Sequence, residues 1–137
     1  MFSAQNNEIS ICDCLQFVES FDVFCNGNIT KFQPDNDEFL IIKQRLIDIF
    51  QSARLMPAFG VSLHNETLNE LKYNKWLQIN FKKEQTKNGL IFNSLLFKLE
   101  QTSGFNLIRL YNNKYEGRCI YLDLGENIDL NSIVEFI

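Results

Sequence analysis

The sequence predicts an α+β fold, and three observations predict it. Asn26-Gly27 sits between two segments whose cross-strand partners match each other. One long amphipathic stretch runs from about 37 to 54. From about 76 to 124, apolar residues alternate over four segments separated by turn residues. The expected architecture is an antiparallel β-meander of four or more strands, about 76–124. An N-terminal β-hairpin joins it, and the main helix packs on one face. At 137 residues, 1–137 is read as a single α+β domain.

Residues 21–32 carry the hairpin. A two-residue turn at Asn26-Gly27 sets Cys25 against Asn28, Asp22 against Lys31 and Phe21 against Phe32. A competing reading makes 11–25 a helix, capped by Ser10 and Asp13 and ended by Gly27. The hairpin is preferred because its turn and its pairs agree. Residues 9–19 before it are read as strand or irregular chain.

Pro34 and Asp35-Asn36-Asp37 stop the second strand and cap the helix. Phe39, Ile42, Leu46, Ile49, Phe50 and Ala53 form its core stripe, widened by Leu40, Ile41 and Ile47. Acids lie at its start and Arg54 at its end, as the helix dipole favours. Pro57 and Gly60 cannot continue a helix. Val61-Ser62-Leu63 reads as a short strand, and Asn65 caps a short helix of about 66–73.

Trp76–Phe81 alternates as a strand. In Leu90–Glu100, Phe92, Leu96 and Lys98 are read on one face, with Ile91, Leu95, Phe97 and Leu99 on the other. Phe105–Tyr111 follows Gly104. Asn112-Asn113 and Gly117 mark a turn into Cys119–Leu124. Gly125 ends the meander, and Asp129–Ile137 reads as a last short helix.

Charge is sorted along the chain. Residues 1–38 hold seven acids and one base, Lys31. Residues 39–118 hold six acids and twelve bases, and 119–137 hold four acids and no base. Three readings fit. The ends pack beside the basic middle, where each surface pair contributes little. Alternatively an acidic face steers onto a basic partner, or a pocket between the helix and the sheet serves a small ligand.

The motifs that carry chemistry are thin. Gly60-Val61-Ser62-Leu63-His64 approaches a nucleophile elbow, but its fifth residue is His rather than Gly. The chain has a single histidine, so no second one is present to serve as the base. Ser62 and His64 stand as an alternative polar site. Cys12-Asp13-Cys14 is one residue too tight for the usual zinc spacing. No metal and no cofactor are expected. Lys72, Lys75, Lys82, Lys83 and Lys87, with Trp76 and Phe81, form the most basic stretch. An overall pI near 5.0 argues against nucleic acid.

No run approaches the roughly 20 apolar residues of a membrane span. The first residues lack the pattern of a secretory signal, so a cytoplasmic protein with reduced thiols is expected. The function expected is a non-enzymatic protein-binding module, of the acidic inhibitor or immunity type by analogy of class, for a basic partner. Its binding residues are read as Asp123, Glu126, Asp129 and Glu135, the base-free C-terminal acids. The alternative is a small-ligand-binding or enzymatic α+β domain. A third option is a homo-oligomer that buries a Phe-rich sheet face.

Overall fold

A computed structural model describes residues 11–60, 74–87, 89–99, 104–124 and 128–135. Side chains are described for these except at 54–60, 104–106 and 117–118. The expected strand Val61-Ser62-Leu63 and the helix at 66–73 fall outside them.

A 3₁₀ turn, η1 (Cys12–Phe17), leads into β1 (Val18–Cys25) and β2 (Asn28–Phe32). The main helix α1 (Asp37–Ser52) and β3 (Arg54–Gly60) follow. Then come β4 (Trp76–Lys87), β5 (Leu90–Lys98), β6 (Gly104–Tyr111), β7 (Lys114–Asp123) and a second 3₁₀ turn, η2 (Leu130–Val134). The strands form one seven-stranded sheet in the order β2-β1-β4-β5-β6-β7-β3. Every neighbouring pair is antiparallel. The expected meander β4 to β7 is its centre, and the hairpin and β3 extend it at either side.

The hairpin has the register its sequence requires, with Cys25 opposite Asn28, Asp22 opposite Lys31 and Phe21 opposite Phe32. Asn26 and Gly27 have φ of 50° and 85°, the left-handed pair that a twist-matched two-residue turn needs. Asn112 and Asn113 repeat the device at 53° and 62° between β6 and β7. The turn therefore ends at Asn113, and Gly117 lies inside β7 rather than in the turn. The helical alternative for 11–25 is excluded, because only Cys12–Phe17 winds and Val18 onward is extended.

α1 begins after Asn36, whose side chain makes no cap bond to the helix. Its Oδ1 instead accepts from the backbone N–H of Gln33 at 2.9 Å, closing the bend that turns the chain from β2. Asp37 and Glu38 sit in the first turn, where the dipole favours acids. The helix stops at Ser52, and Arg54 opens β3 instead of closing the helix. Phe39, Ile42, Leu46, Ile49, Phe50 and Ala53 are all buried against the sheet. Leu40 and Ile41 do not widen that stripe, since both face solvent.

α1 carries the chain from β2, at one edge of the sheet, to β3, at the other. A 16-residue helix is about 24 Å long, close to the roughly 29 Å of six interstrand steps. Its length therefore suits a diagonal crossing of the whole sheet. The main core lies between that helix and the sheet. Phe21, Leu46, Phe50, Leu77, Ile79, Phe92, Leu95 and Phe97 are sealed there, and Leu130, Ile133 and Val134 of η2 close one end.

Phe92 belongs to this core together with Leu95 and Phe97, whereas Leu96 lies on the opposite face. The expected grouping of Phe92 with Leu96 is thus corrected. The β4–β5 register slips between Asn80 and Gln85, so alternation does not carry through that point. β4 continues past the slip to Lys87, well beyond the expected Phe81.

Candidate functional site

The opposite face of the sheet has its own order. Cross-strand partners share a face, so the register defines rows. One row runs Ile29, Phe24, Trp76 and Lys98, and the next runs Lys31, Asp22, Gln78, Leu96 and Ile108. A third runs Ser20, Asn80, Ser94, Leu110 and Tyr115. Trp76, Leu96, Ile108 and Cys119 are buried on this face. The indole N–H of Trp76 has no hydrogen-bond partner, at a cost of about 1–3 kcal/mol.

Asn80 is the hub of the polar side chains. Its Nδ2 donates to Ser20 Oγ at 3.1 Å and to Asp22 Oδ2 at 2.9 Å. Its Oδ1 accepts from Gln78 Nε2 at 2.9 Å and from Ser94 Oγ at 2.8 Å. The Tyr115 hydroxyl donates to Gln78 Oε1 at 2.6 Å. Burial, and secondarily the Asp22 charge, push the Tyr115 pKa up, which keeps that hydroxyl a donor. At the far end Lys31 Nζ lies 3.0 Å from Asp22 Oδ1. The chain of contacts reaches from β7 to β2 and braces the hairpin against the sheet.

The braced hairpin ends in the edge strand β2. Asn28, Ile29, Thr30 and Lys31 are all exposed. Among the described residues, the large exposed apolar side chains are Ile29, Leu40 and Ile41, at 63%, 60% and 40%. They lie on β2 and the opening turns of α1, joined by the bend at 33–36. Asp35 and Asp37 are exposed in the same stretch, and Glu38 is half-buried. Lys31 is the sole base before Lys43 in the sequence and is engaged by Asp22. Ile29 points to the Trp76 face of the sheet and α1 packs on the other, so the candidate site is the exposed edge strand β2 together with the exposed acids of the bend that follows it. In sequence, residues 33–41 carry the same acids and apolar residues, but there they fit a helix cap and core stripe equally well.

The C-terminal acids read as binding residues are not gathered in one place. Asp123 ends β7, opposite Arg54 on β3 and Gly104 on β6. The Asp129 carboxylate accepts the Asn131 backbone N–H at 3.0 Å and caps η2. Glu135 is exposed after η2. Glu126, Ser62 and His64 lie outside the described residues. The segment itself is held to α1, because Arg45 Nη1 donates to the carbonyls of Ser132 at 2.8 Å and Ile133 at 3.2 Å.

The acidic N-terminal end likewise meets the basic middle. Lys83 Nζ stands 4.3 Å from the centre of the Phe17 ring, a cation–π contact of about 0.5–1 kcal/mol. The basic middle thus meets the terminal segments at Arg45, on the carbonyls of η2, and at Lys83, on the Phe17 ring, while Lys31 pairs with Asp22 inside the N-terminal segment.

A cleft of about 330 Å³ lies between η1 and α1, lined by Cys12, Asp13, Leu15, Gln16, Lys43 and Ile47. Core side chains of α1 and the sheet pack together beneath it. Among the described residues, no cluster of three or more His, Cys, Asp or Glu side chains has a metal-holding arrangement.

All four thiols are free. Burial pushes Cys14 up to about 11, and it also raises Cys12 and Cys119. A thiol whose folded pKa exceeds its unfolded value stabilises fully below the unfolded value, near 9.0. That contribution is lost as pH rises through the folded value. Thermal midpoints are therefore expected to hold up to about pH 9 and to fall toward pH 11. Cys14→Ala is expected to lose part of that slope, as read by calorimetry across the range. Compared with protein-family models, with curated proteins and with solved structures, the chain matches none at a significant level.

Proposed function

We propose that this protein is a non-enzymatic binding module for a basic protein partner. The observation that supports this most is the exposed edge strand β2, with Ile29 at 63% exposure, followed in the chain by exposed Asp35 and Asp37 and by exposed Leu40 and Ile41 at the start of α1. Acidic residues in the same stretch as exposed apolar side chains steer a cationic partner and then let it bury apolar area. Asp123, Glu126, Asp129 and Glu135 add to the acidic field that attracts such a partner. Its working compartment in this reading is the cytoplasm, where free thiols stay reduced. Among the described residues, no helix is long and apolar enough to cross a membrane.

The test replaces Leu40 and Ile41 together by Lys. Both side chains are exposed, so the urea midpoint should move little. Capture of a cationic partner at low salt should fall by roughly tenfold or more, since apolar contact is lost and like charge is added. Unchanged capture by the double variant, with the fold intact, would count against the site.

A second reading has one specific observation behind it, the cleft beside η1. Its floor is Leu15 and Ile47, and Asp13 and Lys43 stand at its walls. A volume near 330 Å³ is at the small end of ligand pockets. The two readings separate in one amide-shift titration. A protein partner should move the amides of Ile29, Leu40 and Ile41, and a small ligand those of Cys12, Lys43 and Ile47.

A further inference from the structure

We infer that the partner docks by adding an extended segment to β2 as an eighth strand of the sheet. This rests on the reading of the protein as a module for a basic partner, and it names the mode and the chemistry of the segment.

The argument begins with the two edges. β3 carries Pro57, which has no N–H to donate, and its pairing with β7 slips between Met56 and Phe59. Both features blunt an edge against further pairing. β2 has neither. Its five pairs with β1 run from Phe32 to Asn28 without a slip, and it contains no proline. It is terminal in the sheet, and residues 28–31 are exposed. Its single charge, Lys31, faces inward along its row to Asp22.

The turn fixes which backbone groups are free. In a two-residue hairpin the residues flanking the turn exchange their hydrogen bonds, and the pattern then alternates. Cys25–Asn28, Val23–Thr30 and Phe21–Phe32 are therefore the bonded pairs. The N–H and C=O groups of Ile29 and Lys31 point away from β1. They form a short template of two donors and two acceptors, spaced for an incoming strand.

Side-chain rows set the chemistry of that strand. A residue placed opposite Ile29 extends the row Ile29, Phe24, Trp76, so an apolar side chain fits there. A residue opposite Lys31 meets the ammonium, so a base is disfavoured at that one position. Past Phe32 the chain bends through Asp35 to Asp37, so bases flanking the segment meet carboxylates. The occupant is thus an extended, apolar-centred segment of a basic protein with flanking lysine or arginine.

The probe is a blocked hexapeptide of alternating valine and threonine between terminal lysines, titrated into the full chain. The expected result is amide shifts at Ile29 and Lys31, with slowed exchange of both protons. Ile29→Pro deletes one outward N–H while leaving the bonds to β1 in place, and should weaken binding by roughly tenfold. Ile29→Thr keeps the N–H and should retain strand addition with weaker affinity. If the peptide binds in a salt-dependent way but Ile29→Pro binds equally well, strand addition is wrong and the binding-module reading survives. If the peptide shifts only residues of α1, the docking mode is again overturned. If no binding occurs at millimolar peptide while Leu40 and Ile41 substitutions also leave partner capture unchanged, both fail. A dimer in sedimentation that Ile29→Pro dissociates would assign the edge to a second copy of the chain and overturn the basic segment as its occupant.

Discussion

Phe21→Ala is expected to destabilise the protein by about 3–5 kcal/mol, the range for emptying a sealed aromatic site. Phe21 has 0% exposure and stands where three parts of the fold meet. Its register partners are Phe32 on β2 and Ile79 on β4. Its ring lies 5.1 Å from that of Phe39 on α1, at 40°. Truncation therefore loosens the hairpin, the sheet centre and the start of the helix together. Set against a typical total of about 5–15 kcal/mol, the loss should leave a marginal fold. The measurement is urea unfolding by circular dichroism, with a lower midpoint at unchanged slope. Ile29→Ala, on the same hairpin but exposed, should stay within about 0.5 kcal/mol. Near-equal losses at the two positions would sink the assignment of Phe21 to the core.

What could be read in advance follows the range of the interactions involved. The β1–β2 register was legible to the residue because it depends on a two-residue turn and on pairs a few positions apart. The core stripe of α1 from Phe39 to Ala53 was legible because its period is local. Leu40 and Ile41 were misread for a physical reason. At 100° per residue both lie well outside the arc set by Phe39, Ile42, Leu46, Ile49 and Phe50, so hydrophobicity alone assigns them to a stripe that their angular position does not. β3 was missed as a strand because Pro57 and Gly60 carry turn signals. An edge strand tolerates them, and only distant pairing with β7 reveals it. The face of Phe92 is not legible because the β4–β5 ladder is irregular between Asn80–Ser94 and Gln85–Phe92, so that Phe92 and Ser94, two apart on β5, lie on opposite faces.

The site shows the same division. Asp22 and Lys31 were readable as a pair, since the hairpin alone brings them together. Asn80, Ser94, Gln78 and Tyr115 are not, because two strands, β5 and β6, separate β7 from β4. The four C-terminal acids read as one binding set in sequence, but Asp123 ends β7 while Asp129 caps η2, which Arg45 of α1 holds through the carbonyls of Ser132 and Ile133. What remains uncompensated is the stretch from Asp35 to Glu38, beside the exposed edge.

Asn80→Asp tests whether that edge depends on the network behind it. The substitution is nearly isosteric, but it turns two donors into acceptors. Asn80 uses its full capacity, two donated and two accepted bonds. A carboxylate there would face Asp22, now 2.9 Å from a donor, as one like charge against another. The expected loss is about 3–5 kcal/mol at neutral pH, from an unpaired charge and two orphaned acceptors. Neighbouring carboxylates raise the pKa of one of the pair. A carboxyl whose folded pKa is raised keeps its proton longer when folded. The variant should therefore recover toward wild type as pH falls, the opposite of ordinary acid destabilisation. Urea unfolding at neutral pH and near pH 5 measures both effects, and hydrogen exchange adds the link to function. The Thr30 N–H, bonded toward β1, should exchange faster in the variant if the network holds β2 in place. A stable Asn80→Asp protein with unchanged Thr30 exchange would separate the edge from the network. β2 would then be held by its turn and by its backbone pairing with β1.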